Sequence, residues 1–188
     1  MIRQFLAGLA LAAPFAAPAQ QTIDTCFACH GARGVSVTPL TPSLAAQPAF
    51  YITAQLAQFV AGKRKSDVMG PMAKAIPAGE ARPLAERIEK LPPPPPACSA
   101  RNESYEKGKA IAAREHCDSC HQPDFSGIEN APRLADQRED YLRKALLDFR
   151  TGVRVGYGEP VMPAVAAALS EPEISDLAHY LAHFTPPP

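Results

Sequence analysis

Apolar residues recur at helical spacing along the chain. Tyr141, Leu142, Ala145, Leu146 and Phe149 fall on one face of a predicted helix, and Gly152 marks its stop. Ser170 and Glu173 form the pattern of an N-terminal capping box. The helix they open carries Ile174, Leu177, Ala178 and Leu181 on one side. No convincing run of alternating β-branched residues competes with these helices, so the predicted class is all-α.

The N-terminus has a different pattern. Arg3 precedes an apolar run from Phe5 to Ala13, and Ala17-Pro18-Ala19 is a small-residue cleavage site. This reads as a secretory signal over 1–19, with cleavage after Ala19. Pro14 and Pro18 interrupt the run, which is short of the roughly 20 apolar residues of a spanning helix. The mature protein is therefore expected in the periplasm.

The pattern after the signal occurs twice. PSLAAQPAFYITAQLAQFVAGKR (42–64) and PRLADQREDYLRKALLDFRTGVR (132–154) align at a constant offset of 90. The offset pairs Pro42 with Pro132, Leu44 with Leu134, Gln47 with Gln137 and Tyr51 with Tyr141. It also pairs Leu56 with Leu146, Phe59 with Phe149, Gly62 with Gly152 and Arg64 with Arg154. The 188 residues thus divide into a domain at 20–91, a linker at 92–100 and a second domain at 101–188. LPPPPP favours polyproline II and makes the linker a semi-rigid spacer.

Charge is balanced, with 19 basic and 19 acidic residues, which gives no electrostatic support to nucleic-acid binding. Its distribution is uneven: residues 20–91 carry eight Lys/Arg and five Asp/Glu, and residues 97–188 carry ten and fourteen. The two halves could therefore dock different partners.

The chemistry lies in the cysteines. CFACH (26–30) and CDSCH (117–121) are two copies of C-x-x-C-H, the pattern of covalent haem attachment. Two thiols one helical turn apart reach the two vinyl groups of one haem, and the adjacent His turns its imidazole to the iron. A zinc site would have to join two widely separated pairs. A thioredoxin-like dithiol needs βαβ surroundings that the pattern lacks. Cys26, Cys29, Cys117 and Cys120 are the expected thioether positions, and His30 and His121 the expected iron ligands. Cys98 is left over; the default is a free structural thiol, with pairing to another chain as the alternative.

C-x-x-C-H, then P-x-L-A-x-Q, then Tyr, then a helix ending G-x-R, then Met, then a final helix, twice in order, resembles the dihaem cytochromes c of the c4 type. The resemblance covers nearly all of the mature chain. It implies two tandem class I cytochrome c-like domains, each wrapped around a covalently bound haem, and so two haem c groups. It implies His and Met as axial ligands, with the carbonyls of Pro42 and Pro132 orienting the histidines.

The second copy offers Met162, expected in a Pro-flanked loop. The first offers Met69 and Met72. The last helices align at an offset of 93, matching Glu80 with Glu173, Leu84 with Leu177, Ala85 with Ala178 and Ile88 with Leu181. Met69 keeps that register with Met162, while Met72 matches Val165, so Met69 is the expected ligand. Pro83 and Arg87 stand where the second copy has Asp176 and Tyr180, so the first copy's last helix should start near Arg82 and be shorter. Arg64 and Arg154 fit either a haem-propionate contact or a solvated cation of a last helical turn. His116, His179 and His183 are expected to be solvated.

The resemblance implies a periplasmic electron carrier of the respiratory chain with redox proteins as partners. It allows a peripheral membrane association. With both axial positions of each iron filled, no residue is expected to be catalytic. The alternative is the cytochrome subunit of a dehydrogenase complex, for example a flavocytochrome c sulfide dehydrogenase.

Overall fold

The computed structural model of the protein describes residues 18–97, 101–158 and 161–184. Cys98 and the apolar N-terminal run lie outside the described residues. Among those described, nine α-helices and one 3₁₀ turn make up the regular structure, with a single isolated bridge between Ile128 and Ala131.

The helices pack as two groups. The first holds α1 (Pro18–His30), α2 (Ala49–Val60), α3 (Met69–Lys74) and α4 (Ala81–Glu89). The second holds α5 (Glu103–Arg114), α6 (Cys117–His121), α7 (Glu139–Arg150), α8 (Val161–Ala167) and α9 (Glu171–Ala182). In each group the long middle helix lies on the last one, α2 on α4 and α7 on α9.

The duplication extends into the backbone bonding. The N–H groups of Leu44 and Ala45 both donate to the Gly34 carbonyl, at 2.8 and 3.1 Å. Those of Leu134 and Ala135 donate to the Phe125 carbonyl, at 2.9 and 3.2 Å. Gly62 and Gly152 follow α2 and α7 with φ of 69° and 74°. That left-handed conformation suits glycine at a helix end.

Among the described residues the second group has the larger core, around Leu142, Leu146, Leu169, Ile174, Leu177 and Leu181. Tyr105, Phe125, Tyr180 and Phe184 add edge-to-face ring contacts, as in the pair Tyr105–Tyr180 at 5.0 Å and the pair Phe125–Phe184 at 4.8 Å. The capping box of α9 forms as expected, with the Ser170 side chain accepting from the Glu173 backbone N–H. The first group is held by Ile23, Ile52, Leu84, Ala85 and Ile88.

The groups differ most at their N-terminal ends. α5 packs closely along α9 at Gly108, where a Cβ would sit 2.1 Å from the Asp176 carbonyl oxygen and 2.6 Å from Tyr180 Cβ. α5 and α6 are separated by a break at His116, with φ of 52°. α1 instead runs unbroken into the first C-x-x-C-H. The offset of 91 between the motifs puts the counterpart of α5 at 12–23, of which 18–23 are described and form the start of α1. Pro83 and Arg87 therefore fall on the face of α4 that matches the α5-covered face of α9. Pro83 is exposed there, in the first turn, where proline is tolerated. α4 starts at Ala81 and has 9 residues against 12 in α9, close to the shorter helix expected.

One expectation is corrected. Met162 lies in the first turn of a short helix, α8, and not in a loop. Pro163 is the next residue, and a helix accepts proline in its first turn because the N–H that proline lacks would be unpaired there anyway.

Candidate haem-binding site

His30 is the last residue of α1 and His121 the last of α6. Both side chains are buried, and each Nδ1 lies 2.8 Å from a proline carbonyl oxygen, that of Pro42 for His30 and that of Pro132 for His121. The neutral ring then donates from Nδ1 and keeps the Nε2 lone pair for a metal. Burial holds both imidazoles below their ordinary range, against the opposing pull of the proline carbonyls. Each histidine is thus kept neutral and in one tautomer.

Cys26 and Cys29 are one turn apart on α1, Cys117 and Cys120 one turn apart on α6, and none of the four is in a disulfide. Burial pushes the Cys26 thiol up. It pushes Cys117 up to about 11, with the charges of Glu115 and Asp118 adding to the effect.

One cavity of about 1100 Å³ takes its walls from both groups. All eight residues expected to bind haem line it: the four motif cysteines, His30, His121, Met69 and Met162. Leu56, Phe59, Leu146 and Phe149 make much of its wall apolar. Met69 opens α3, half-buried, with its N–H bonded to Ser66 Oγ at 3.0 Å. Met162 packs against the core of the second group. Met72 also lines the cavity, one turn beyond Met69, but is exposed. Ala73 and Ala166 are both buried and keep the offset of 93 that relates Met69 to Met162.

A crossed network joins the two halves beside this cavity. Arg64 donates to the Tyr141 hydroxyl at 2.9 Å and to Gln55 Oε1 at 2.6 Å. Arg154 donates to the Tyr51 hydroxyl and to the same Gln55 oxygen, both at 3.0 Å. The guanidiniums lie over the rings of Phe59 and Phe149. Burial alone would raise the Tyr141 phenol, but Arg64 and Arg154 outweigh it and pull it down to about 8. Neither arginine has a carboxylate partner among the described residues. The buried Nε of Arg154 has no hydrogen-bond partner. A buried donor of this kind calls for an acceptor.

These features together fit haem c. The cavity is apolar, each half supplies two thiols, a neutral imidazole and a thioether, and the unmet guanidinium donor suits the propionate carboxylates of the group. Of the two expectations for the arginines, a solvated cation does not hold for Arg154, which is buried, and Arg64 is half-buried.

A second seam closes the domains. Gln137 accepts from the Ser43 N–H at 2.7 Å and donates to the Ser43 carbonyl at 2.8 Å. Gln47 accepts from the Arg133 N–H at 3.0 Å and donates to the Arg133 carbonyl at 2.9 Å. Sequence reasoning matched Gln47 with Gln137, and Tyr51 with Tyr141, without assigning them this role. The repeat marks equivalent positions but does not say that they reach across to the other copy. Gln55 matches Ala145, so nothing in the repeat points to it.

His179 and His183 also correct the sequence reading. His116 is exposed as expected, but the side chains of His179 and His183 are only 13% and 19% exposed, because both turn toward Glu139.

Comparison with known proteins identifies the family. The Cytochrome c family model matches residues 105–185. The chain is 34% identical to cytochrome c4 of Thiocapsa roseopersicina, over 83% of this chain and 85% of that one. It is 32% identical to the thiosulfate dehydrogenase electron acceptor of Stutzerimonas stutzeri, over 84% of this chain and 78% of that one. The crystal structure of reduced recombinant cytochrome c4 from Pseudomonas stutzeri superposes with a TM-score of 0.80 at 28% identity, covering 87% of this chain and 95% of that one. The chain belongs to the cytochrome c4 family, the dihaem c-type cytochromes that carry single electrons.

Proposed function

We propose that this chain is exported, cut after Ala19, and works in the periplasm as a respiratory electron carrier with redox proteins as its partners. Residues 20–91 and 101–188 are its two haem domains and 92–100 the linker. Cys26 and Cys29 hold one haem through thioethers, with His30 and Met69 as axial ligands. Cys117 and Cys120 hold the other, with His121 and Met162 as axial ligands. Bound there, haem c supplies one-electron chemistry between Fe(III) and Fe(II).

The observation that carries this reading is the pair of buried histidines, each held through Nδ1 by a proline carbonyl at 2.8 Å. The proline carbonyls fix the ring orientation and leave Nε2 as the ligating nitrogen. Phe59, Leu56, Phe149 and Leu146 keep water from the cavity. Arg64 and Arg154 compensate negative charge brought into it. With one His and one Met of each copy given to the iron, no ligand position would be left for a substrate, so the chain is read as a carrier of electrons.

A second reading makes the protein the dedicated electron acceptor of a dehydrogenase. The relative from Stutzerimonas stutzeri, named as a thiosulfate dehydrogenase electron acceptor, favours thiosulfate over sulfide as that enzyme's substrate. Affinity purification from periplasmic extract, with absorption spectra of whatever comes along, separates the two. A protein recovered without a stoichiometric partner supports the carrier, and a tightly held dehydrogenase subunit supports the acceptor.

A further inference from the structure

Away from the haem cavity, Glu139, His179 and His183 bring one ligand atom each within 4.8 Å of the other two. Glu139 is the first residue of α7. His179 lies in the last turn of α9 and His183 caps that helix, so the histidines are four apart and share a face. Their rings are 4.3 Å apart. His179 Nδ1 is 3.0 Å from Glu139 Oε2, and His183 Nδ1 is 3.8 Å from the same oxygen.

We propose that Glu139, His179 and His183 form a binding site for a borderline divalent cation of the zinc type. Two imidazoles and one carboxylate are a donor set that zinc accepts, with a fourth position left to water. Zinc–ligand bonds of about 2.0–2.2 Å would set tetrahedral donors roughly 3.4 Å apart, so His183 draws toward Glu139 while His179 eases away from it. Side-chain rotation achieves this, because the Glu139–His179 hydrogen bond and the His183 Nδ1 bond to the His179 carbonyl are exchanged for bonds to the cation.

The surroundings favour a cation. The C-terminal end of α9 presents its partial negative charge, offset in part by the N-terminus of α7. Asp136, whose side chain is 6% exposed, carries a second carboxylate that interacts with His183, although Arg133 pairs with it at 3.2 Å. None of the three ligands lines the haem cavity. Glu139 and His183 line a separate groove with Pro94, Pro95 and Ala97 of the linker. A bound cation would tie α7 to α9 where the linker joins the second domain.

The test is calorimetric titration of the haem-loaded protein with zinc chloride, in a Cys98→Ser background that removes the spare thiol. Wild-type ligands should take up one zinc per chain. His179→Gln and His183→Gln should each weaken binding by at least the about 10- to 100-fold that loss of an outer-shell partner costs, with the haem spectrum unchanged. If a histidine variant loses helical circular dichroism, Glu139→Gln, which changes a half-exposed side chain, takes its place with the same expected weakening. Zinc binding of unchanged strength in these variants, or no uptake at millimolar zinc, overturns the proposal.

Discussion

Arg154 of the second domain donates to the Tyr51 hydroxyl of the first at 3.0 Å, and Arg64 of the first returns the same bond to Tyr141 of the second at 2.9 Å. The two copies are therefore linked through the very residues that the duplication repeats. Each copy completes the polar edge of the other's share of the cavity. An isolated half would lack a phenol for its arginine and an arginine for its phenol.

Arg154 places a buried positive charge beside the cavity. Such a charge disfavours the oxidised, more positive iron. Arg154→Met should lower the reduction potential of at least one haem, by on the order of 60 mV if the charge contributes about 1.4 kcal/mol per electron. Potentiometric titration reads the change, and a raised or unaltered potential contradicts the assigned role.

Met69 and Met72 both reach the cavity, yet only Met69 keeps the register of Met162. Met69→Leu should remove about half of the weak methionine-to-iron absorption of the oxidised protein. Met72→Leu should leave it intact. The reverse result would move the ligand one helical turn.

Gly108 lets α5 lie directly on α9. A methyl group there meets a backbone carbonyl at 2.1 Å, which no rotamer change relieves. Gly108→Ala gains about 1 kcal/mol in helix propensity but overpacks the crossing, at a cost of about 1–3 kcal/mol. Denaturant unfolding should show a net loss confined to the second domain, whereas a stabilised protein would contradict the close approach.

Glu173 accepts from the Ser170 N–H at 2.8 Å and from the Ser170 hydroxyl at 2.7 Å, and pairs with Arg114. These bonds to the backbone and side chain of Ser170, then to Arg114, lower its pKa from 4.5 to about 2. The folded value is below the unfolded one, so the stabilisation is complete above about pH 4.5. It fades as pH falls toward about 2. Thermal melts of Glu173→Gln should be lower than wild type near neutral pH and should converge with it in acid. A gap that persists at pH 2 would rule out the carboxylate as its source.

Much of this was legible from the chain. The repeat at an offset of 90, the capping box of α9 and the helical spacing of the two thiols in each C-x-x-C-H follow from short-range patterns, and local sequence records those well. What escaped depends on distant contact. Gln47 and Gln137 look like ordinary helix-entry residues until they are seen bonded to the opposite copy. His179 and His183 look solvent-facing until α7 brings Glu139 to them. Pro83 and Arg87 were visible as departures; the positions they match on α9, Asp176 and Tyr180, are the ones that meet Gly108 of α5.

Intact-mass spectrometry of the protein purified from the periplasm tests the central claim most directly. The account predicts a chain beginning at Gln20 that carries the mass of two haem groups under denaturing conditions. Loss of one group from Cys26→Ala/Cys29→Ala, and of the other from Cys117→Ala/Cys120→Ala, should follow. A wild-type chain carrying one covalent haem, or none, would contradict it.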